Sequence, residues 1–196
     1  MGTHRAGLRT RNQIQRRKRI VNAAAALASR GGIDAMQMRT VAARAGVALG
    51  TLYRYFPSKM DLVVAVIGEE LEALEAALQR RPPTASTTAG RAAEVLLRAT
   101  HGLMREPELA DALVRSVVFS SEEVETDFAD RVSRLLLRTA LETQPDGELE
   151  PNQLALGRLL QSIWISELLG LIQGKRTMED AQWHLELGAE RLLHDL

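Results

Sequence analysis

An all-α protein in two parts is predicted by three features of this sequence. Nearly every long segment carries an apolar stripe at helical spacing, no segment shows the alternating pattern of a strand, and the charge is split along the chain. Residues 1–60 hold 12 Lys/Arg and one acid, Asp34, a net of +11, while residues 61–196 hold 13 Lys/Arg and 24 acids, a net of −11. The expectation is a small basic head over residues 1–60 and a larger helical body over residues 61–196, with about nine helices in all.

The elements follow in order. Residues 12–30 place Ile14, Val21, Ala24, Ala25 and Ala28 on one face, and Gly31-Gly32 ends that helix. Met38–Ala45 is a short helix, Gly46-Val47 a turn, and Leu49–Tyr55 a second short helix stopped by Pro57. Ser58 and Asp61 have capping-box spacing and open a long helix striped by Val63, Ile67, Leu71, Leu74 and Leu78. The stretch RPPTASTTAG (81–90) reads as a connection between helices rather than between domains, because the 58–80 helix straddles the charge boundary. Helices are expected near 89–105, 107–119, 121–142, 151–173 and 177–194, with Pro107 and Pro151 in first turns and a second capping box at Thr177–Asp180. QPDGELEP (144–151) is a loop.

Composition narrows the function classes. No cysteine is present, which removes disulfides, thiol nucleophiles and Cys-based zinc sites. No unbroken apolar run approaches about 18 residues, and the N-terminus is Arg-rich instead of apolar, so the expectation is a cytoplasmic protein with no membrane partner. The histidines, His4, His101, His184 and His194, lack metal-ligand spacing, and neither a Gly-rich phosphate loop nor a nucleophile with an evident base occurs. The chain is therefore read as a non-enzyme with no metal and no cofactor.

Two tyrosines and a phenylalanine fall within VAARAGVALGTLYRYFPSK (41–59). Two short helices joined by a tight turn and backed by a longer helix make a helix-turn-helix, whose second helix enters the major groove of double-stranded DNA. Val41, Ala42, Ala45, Val47, Leu52 and Phe56 form the inward face. Ala48, Leu49, Gly50, Thr51, Tyr53, Arg54 and Tyr55 form the outward face. Small residues at 48 and 50 permit close approach to a duplex, hydroxyls at 51, 53 and 55 suit phosphates, and Arg54 and Arg39 suit guanine or phosphate. Lys59 sits in the first turn of the next helix, where an ammonium and free amides favour a phosphate.

The run Val41-Ala42, Ala45-Gly46-Val47, Gly50-Thr51-Leu52-Tyr53, Tyr55-Phe56 and Ser58-Lys59 resembles the TetR family of bacterial regulators. The resemblance implies an all-helical homodimer with a DNA-reading head and a ligand-sensing body. It implies phosphate contacts at Thr40, Thr51, Tyr55 and Lys59, and base contacts near Arg39, Leu49, Gly50 and Tyr53. One departure is Gln37, which stands where many members place a capping Thr or Ser; Thr40 or the Gln37 amide is the available substitute. Residues 35–59 taken with SIWISELLGLI (162–172) are further similar to the KstR-type group, repressors of actinobacterial sterol catabolism that sense CoA thioesters of cholesterol-derived metabolites.

In the body, the expected ligand-pocket residues are Met104, Leu109, Leu113, Val117, Phe119, Phe128, Val132, Leu135, Thr139, Trp164 and Leu168. Arg98, Arg105, Arg115 and Arg134 are the candidate partners for phosphates of a CoA-bearing effector. The 151–173 helix is apolar most of the way round and therefore needs cover on all sides. With the 177–194 helix it is expected to form a homodimer interface. The functional expectation is a repressor of a near-palindromic operator, released by a hydrophobic small molecule. Two alternatives stay open: a regulator of an efflux operon sensing a drug-like compound, and an architectural DNA binder.

Overall fold

The computed structural model describes residues 2–143 and 147–196, with side chains from Arg11 onward. Residues 144–146 of the loop expected at 144–151 lie outside the described residues. Among the described residues there are nine helices and no strand: α1 (Gly2–Ala35), α2 (Met38–Ala45), α3 (Leu49–Tyr55), α4 (Lys59–Arg80), α5 (Thr88–Leu103), α6 (Pro107–Val118), α7 (Glu122–Ala140), α8 (Pro151–Ile172) and α9 (Met178–Leu193). They group into two compact units, Met1–Glu69 and Glu70–Leu196. The division thus falls inside α4, ten residues past the charge boundary near residue 60.

In the first unit, α1 packs on α2 and α2 on α3. The first helix begins upstream of the expected position 12, and its regular dihedrals break at Gly31-Gly32, where Gly32 takes φ +62. Val21, Ala24 and Ala28 are buried as the stripe requires, whereas Ile14 is 61% exposed because it precedes the part of α1 that the two short helices cover. Ser58 caps α4 as expected: its hydroxyl accepts from the Asp61 amide at 3.1 Å, and its own amide donates to the Asp61 carboxylate at 2.8 Å.

The second unit is a bundle. The fifth helix packs on α7 and α9, and α8 packs on α6, α7 and α9. Alanines 89, 92, 93 and 99 of α5 are all buried, so neighbouring backbones approach closely without voids. Gly157 serves the same end on α8: a Cβ there would meet Leu137 Cδ1 at 2.8 Å. One polar link crosses the apolar core. The Trp164 indole N–H donates to Thr100 Oγ1 at 2.9 Å, and that hydroxyl donates to the Leu96 carbonyl at 2.8 Å.

As a helix, α8 is long and apolar enough to cross a membrane by length and composition, with mean hydropathy 1.3 over its best window. Counting unbroken apolar runs misses this property, because Arg158, Gln161 and Glu167 interrupt the run without making the helix polar. One side of it meets other helices of the bundle, where Leu160, Trp164 and Leu168 are buried, while Leu159 stays exposed. Glu167 is also buried, and its carboxylate is compensated by Arg176 Nε at 3.2 Å, with His184 Nδ1 at 3.1 Å.

The 81–87 connection is pinned to α5 by side chains. Glu94 accepts from the amides of Thr84 (3.0 Å) and Ala85 (2.8 Å). Arg98 donates to the carbonyls of Arg81 and Pro82. Partial burial acts to raise the pKa of Glu94, but the two amides and Arg98 outweigh it and hold the carboxyl below its ordinary value of 4.5.

Two outcomes are expected. Thr100→Val leaves the Trp164 N–H unpaired in the core and lowers stability in denaturant unfolding by about 1–3 kcal/mol. The depressed pKa of Glu94 means its carboxylate stabilises the fold above the ordinary 4.5 and loses that effect as pH falls through the folded-state value. Glu94→Gln is therefore less stable than the parent at neutral pH, and the difference closes as the pH falls below the folded-state value in the same assay.

Candidate nucleic-acid interface and effector cleft

The reading surface is built on two short helices. Val41, Ala42 and Ala45 bury the inner face of α2. The helix stops at Gly46, which takes φ +65 and ψ +41. The Val47 amide returns to the Ala42 carbonyl (3.0 Å) and the Gly46 amide to that of Ala43 (3.2 Å), a Schellman closure that needs a residue tolerant of positive φ. The chain then enters α3, only seven residues long. Leu52 is fully buried and Phe56 is 3% exposed. The Arg17 guanidinium of α1 stacks over the Phe56 ring at 5.3 Å.

With Leu52 and Phe56 turned inward, the rest of α3 turns outward. Ala48, Gly50, Tyr53 and Arg54 are exposed, and Leu49, Thr51 and Tyr55 are partly so. Arg39 and Thr40 of α2 are exposed as well. None of Arg39, Thr40, Thr51, Tyr53, Arg54 and Tyr55 has a side-chain hydrogen bond or ion pair among the described residues, so their donors face solvent. A Cβ added at Gly50 would meet nothing within 4 Å. Packing inside the head thus places no demand on its smallness.

Two residues sit differently from the sequence expectation. Gln37 is extended and makes no side-chain cap, so it does not stand in for a capping hydroxyl. The first-turn amides of α2 are left for an outside acceptor. Lys59 is half-buried, and its Nζ donates to the Ile33 carbonyl at 2.5 Å, just past the α1 break. An ammonium has three donors, so one anchors α4 to the end of α1 and two remain.

The body contains a cleft of about 530 Å³. Leu71, Glu72, Glu75, Leu78 and Gln79 of α4 form one wall, and Pro82, Pro83 and Arg91 contribute beyond it. The other wall is Arg131, Arg134, Leu135, Arg138, Thr139, Glu142 and Thr143. Of the pocket residues expected from sequence, Leu135 and Thr139 line this cleft. Leu109, Leu113, Val117, Val132, Trp164 and Leu168 are buried, Phe128 packs half-buried on the core, Met104 is partly buried at the end of α5, and Phe119 is 78% exposed after α6. Of the four arginines expected near phosphates, only Arg134 lines the cleft. Arg98 holds the connection, Arg115 pairs with Asp111 at 2.6 Å, and Arg105 is exposed. Sequence reasoning missed Arg131 and Arg138; their spacing of three and four from Arg134 on α7 was the signal.

Comparison with known proteins supplies the family. Residues 20–66 match the model of the bacterial regulatory proteins, tetR family, and residues 85–192 match the tetracyclin repressor-like C-terminal domain. The HTH-type transcriptional repressor KstR of Rhodococcus jostii is 37% identical over 183 residues, 93% of this chain and 85% of that protein. KstR of Mycolicibacterium smegmatis is 35% identical over 181 residues, 92% of this chain and 88% of its own. A TetR transcriptional regulator from Rhodococcus sp. RHA1 superposes with TM-score 0.78 at 30% identity, covering 95% of this chain and 99% of that one. At the level of fold alone, FadR of Thermus thermophilus with lauroyl-CoA matches with TM-score 0.64 and 18% identity, covering 90% and 93%. FadR of Bacillus subtilis with stearoyl-CoA matches with TM-score 0.61 and 16% identity, covering 91% and 98%. The buried anchor under α3, the unpaired donors above it and these matches lead to one conclusion: the chain belongs to the TetR family of bacterial regulatory proteins and is a transcriptional repressor homologous to KstR.

Proposed function

We propose that this repressor acts in the cytoplasm as a homodimer on a near-palindromic operator and leaves it when a CoA thioester of a hydrophobic acid binds the body. The observation that carries the DNA-binding part is the α3 surface, where Gly50, Thr51, Tyr53 and Arg54 present small size and unpaired donors above a sealed apolar anchor. Within this reading, Tyr53, Leu49 and Arg39 face base edges, and Thr40, Thr51, Tyr55 and Lys59 face phosphates. Ala48 allows close approach, and Arg54 reaches guanine or phosphate. No catalytic role is part of it.

Dimerisation is supported by the outer faces of the last two helices. Leu159 on α8 is 55% exposed, and Trp183 and Leu187 on α9 are 59% and 38% exposed. Three large apolar side chains on two adjacent helices are covered economically by the same surface of a second copy. Two recognition helices then stand about one DNA turn apart, or a multiple of it.

The effector class is what the resemblance to the KstR-type group implies, carried here by relatives 35–37% identical over the aligned residues, and it is supported by the two FadR structures, in which the same fold is named in complex with acyl-CoA. Release requires that the ligand prefer a body arrangement that mismatches the operator, and a coupling of roughly 1–3 kcal/mol gives a several-fold to hundred-fold loss of affinity. The fourth helix is the connection, since its residues belong to both units.

An operator selected from random DNA by the purified protein tests the reading. Tyr53→Ala and Arg54→Ala each weaken that operator by about 1–3 kcal/mol while thermal unfolding shifts little. Leu52→Ala instead lowers stability by about 2–5 kcal/mol and weakens binding as a consequence. Selection of no sequence over random DNA rejects the operator-specific reading. Trp183→Glu converts the dimer to monomer in sedimentation, and an unchanged dimer rejects the α8–α9 interface.

A further inference from the structure

We propose that the α4–α7 cleft seats the effector's phosphates, with Arg131, Arg134 and Arg138 as their receptors and Leu71, Leu78 and Leu135 beside the apolar part of the same molecule. This rests on the CoA-thioester reading above and assigns it a place.

The three arginines are spaced by three and four residues on α7, so they fall on one face, and all three line the cleft. Arg131 and Arg134 are exposed and have no hydrogen-bond or ion-pair partner among the described residues. Among the described residues the buried Arg138 Nε–H has no acceptor, and its Nη2 donates to the Gly147 carbonyl at 3.4 Å. A buried guanidinium N–H without a partner is costly and uncommon in a native fold, and an anion in the cleft would satisfy it. The fourth arginine of the cleft is different in kind. Arg91 donates to Ala140 (2.6 Å), Ala85 (3.3 Å), Ser86 (3.2 Å) and Thr88 (3.4 Å), and lies 3.9 Å from Glu142. It is a strut, not a receptor.

Three carboxylates also line the cleft: Glu72 and Glu75 on α4, and Glu142 after α7. Neither Glu72 nor Glu75 forms an ion pair with the α7 arginines. The positive wall is therefore left uncompensated, and the acidic wall repels anions toward it. Guanidinium forks match phosphate oxygens bidentately, and three of them share one face of α7. The cleft volume of about 530 Å³ lies within the usual range for small-molecule sites, about 300–1,000 Å³. Leu71, Leu78, Leu135, Pro82 and Pro83 give it an apolar side as well. A ligand joining phosphates to a hydrophobic acid fits both.

The test is calorimetric titration of the full-length protein with stearoyl-CoA, choloyl-CoA, stearate and free CoA at fixed ionic strength. The parent is expected to bind at least one thioester. Arg131→Gln/Arg134→Gln/Arg138→Gln is expected to weaken that thioester by about tenfold or more and to leave stearate unchanged. Glu72→Gln/Glu75→Gln is expected to tighten it. Should the triple variant not fold, the exposed single variants Arg131→Gln and Arg134→Gln decide, each expected to weaken the thioester several-fold. Equal thioester affinity in parent and arginine variants overturns the cleft assignment and leaves the effector class standing. Failure of the parent to bind either thioester overturns the effector class and the assignment with it.

Discussion

The proposed reading of DNA depends on two side chains under a helix too short to stand alone. A seven-residue helix has little intrinsic stability in water, where isolated helices below about 12–15 residues are marginal. The third helix exists because Leu52 and Phe56 are withdrawn from solvent and Arg17 closes over the phenylalanine ring. That constraint sets the helix's rotation. Once positions 52 and 56 point inward, 50, 53 and 54 must point outward, and the reading surface follows from the packing. The Schellman closure at Gly46 and the Lys59 bond to Ile33 fix the two ends of the motif against the same first helix.

The body uses different physics. Its helices are joined by polar struts at their ends and by small residues where they cross. Arg91, Glu94 and Arg98 tie the proline-bearing connection to α5, so a stretch that reads as a linker is held by about as many directed bonds as a turn of helix. Glu167 brings a carboxylate into the α8–α9 contact, and Arg176 and His184 offset the cost of burying it. Gly170 makes room for this, since a Cβ there would meet the Arg176 side chain at 2.7 Å. Against these bonded struts, three arginines on α7 with unused donors stand out as features that the fold itself does not need.

Much of this was legible in the sequence, and unevenly so. Helix existence followed from periodicity, and both capping boxes that spacing suggested, at Ser58 and Thr177, are formed. The head was clearest, because a turn glycine between two short apolar-faced helices leaves few ways to fold. What periodicity does not carry is which face of a helix meets solvent once all its neighbours are in place. Ile14 continues the α1 stripe past the region that α2 and α3 cover. Phe119 ends α6 on the surface although its helix is otherwise well buried. The pocket set chosen by apolar character fell mostly in the packed interior, since core and cavity lining draw on the same residue types. The cleft was instead marked by charge on a helix face. Gln37 carried a further lesson: an amide at an N-cap position is chemically able to cap, yet here it does not.

The central claim is that the outward face of α3, with the cations around it, reads a duplex while Leu52 and Phe56 hold it from beneath. The most direct measurement is the dependence of operator affinity on salt concentration for the full-length protein. The account expects log affinity to fall linearly with log salt, with a slope of about −0.9 for each phosphate engaged and several phosphates per dimer. It also expects Lys59→Met to make that slope shallower. A slope near zero would mean that the basic head does not meet the backbone of DNA, and the account would be contradicted at its root.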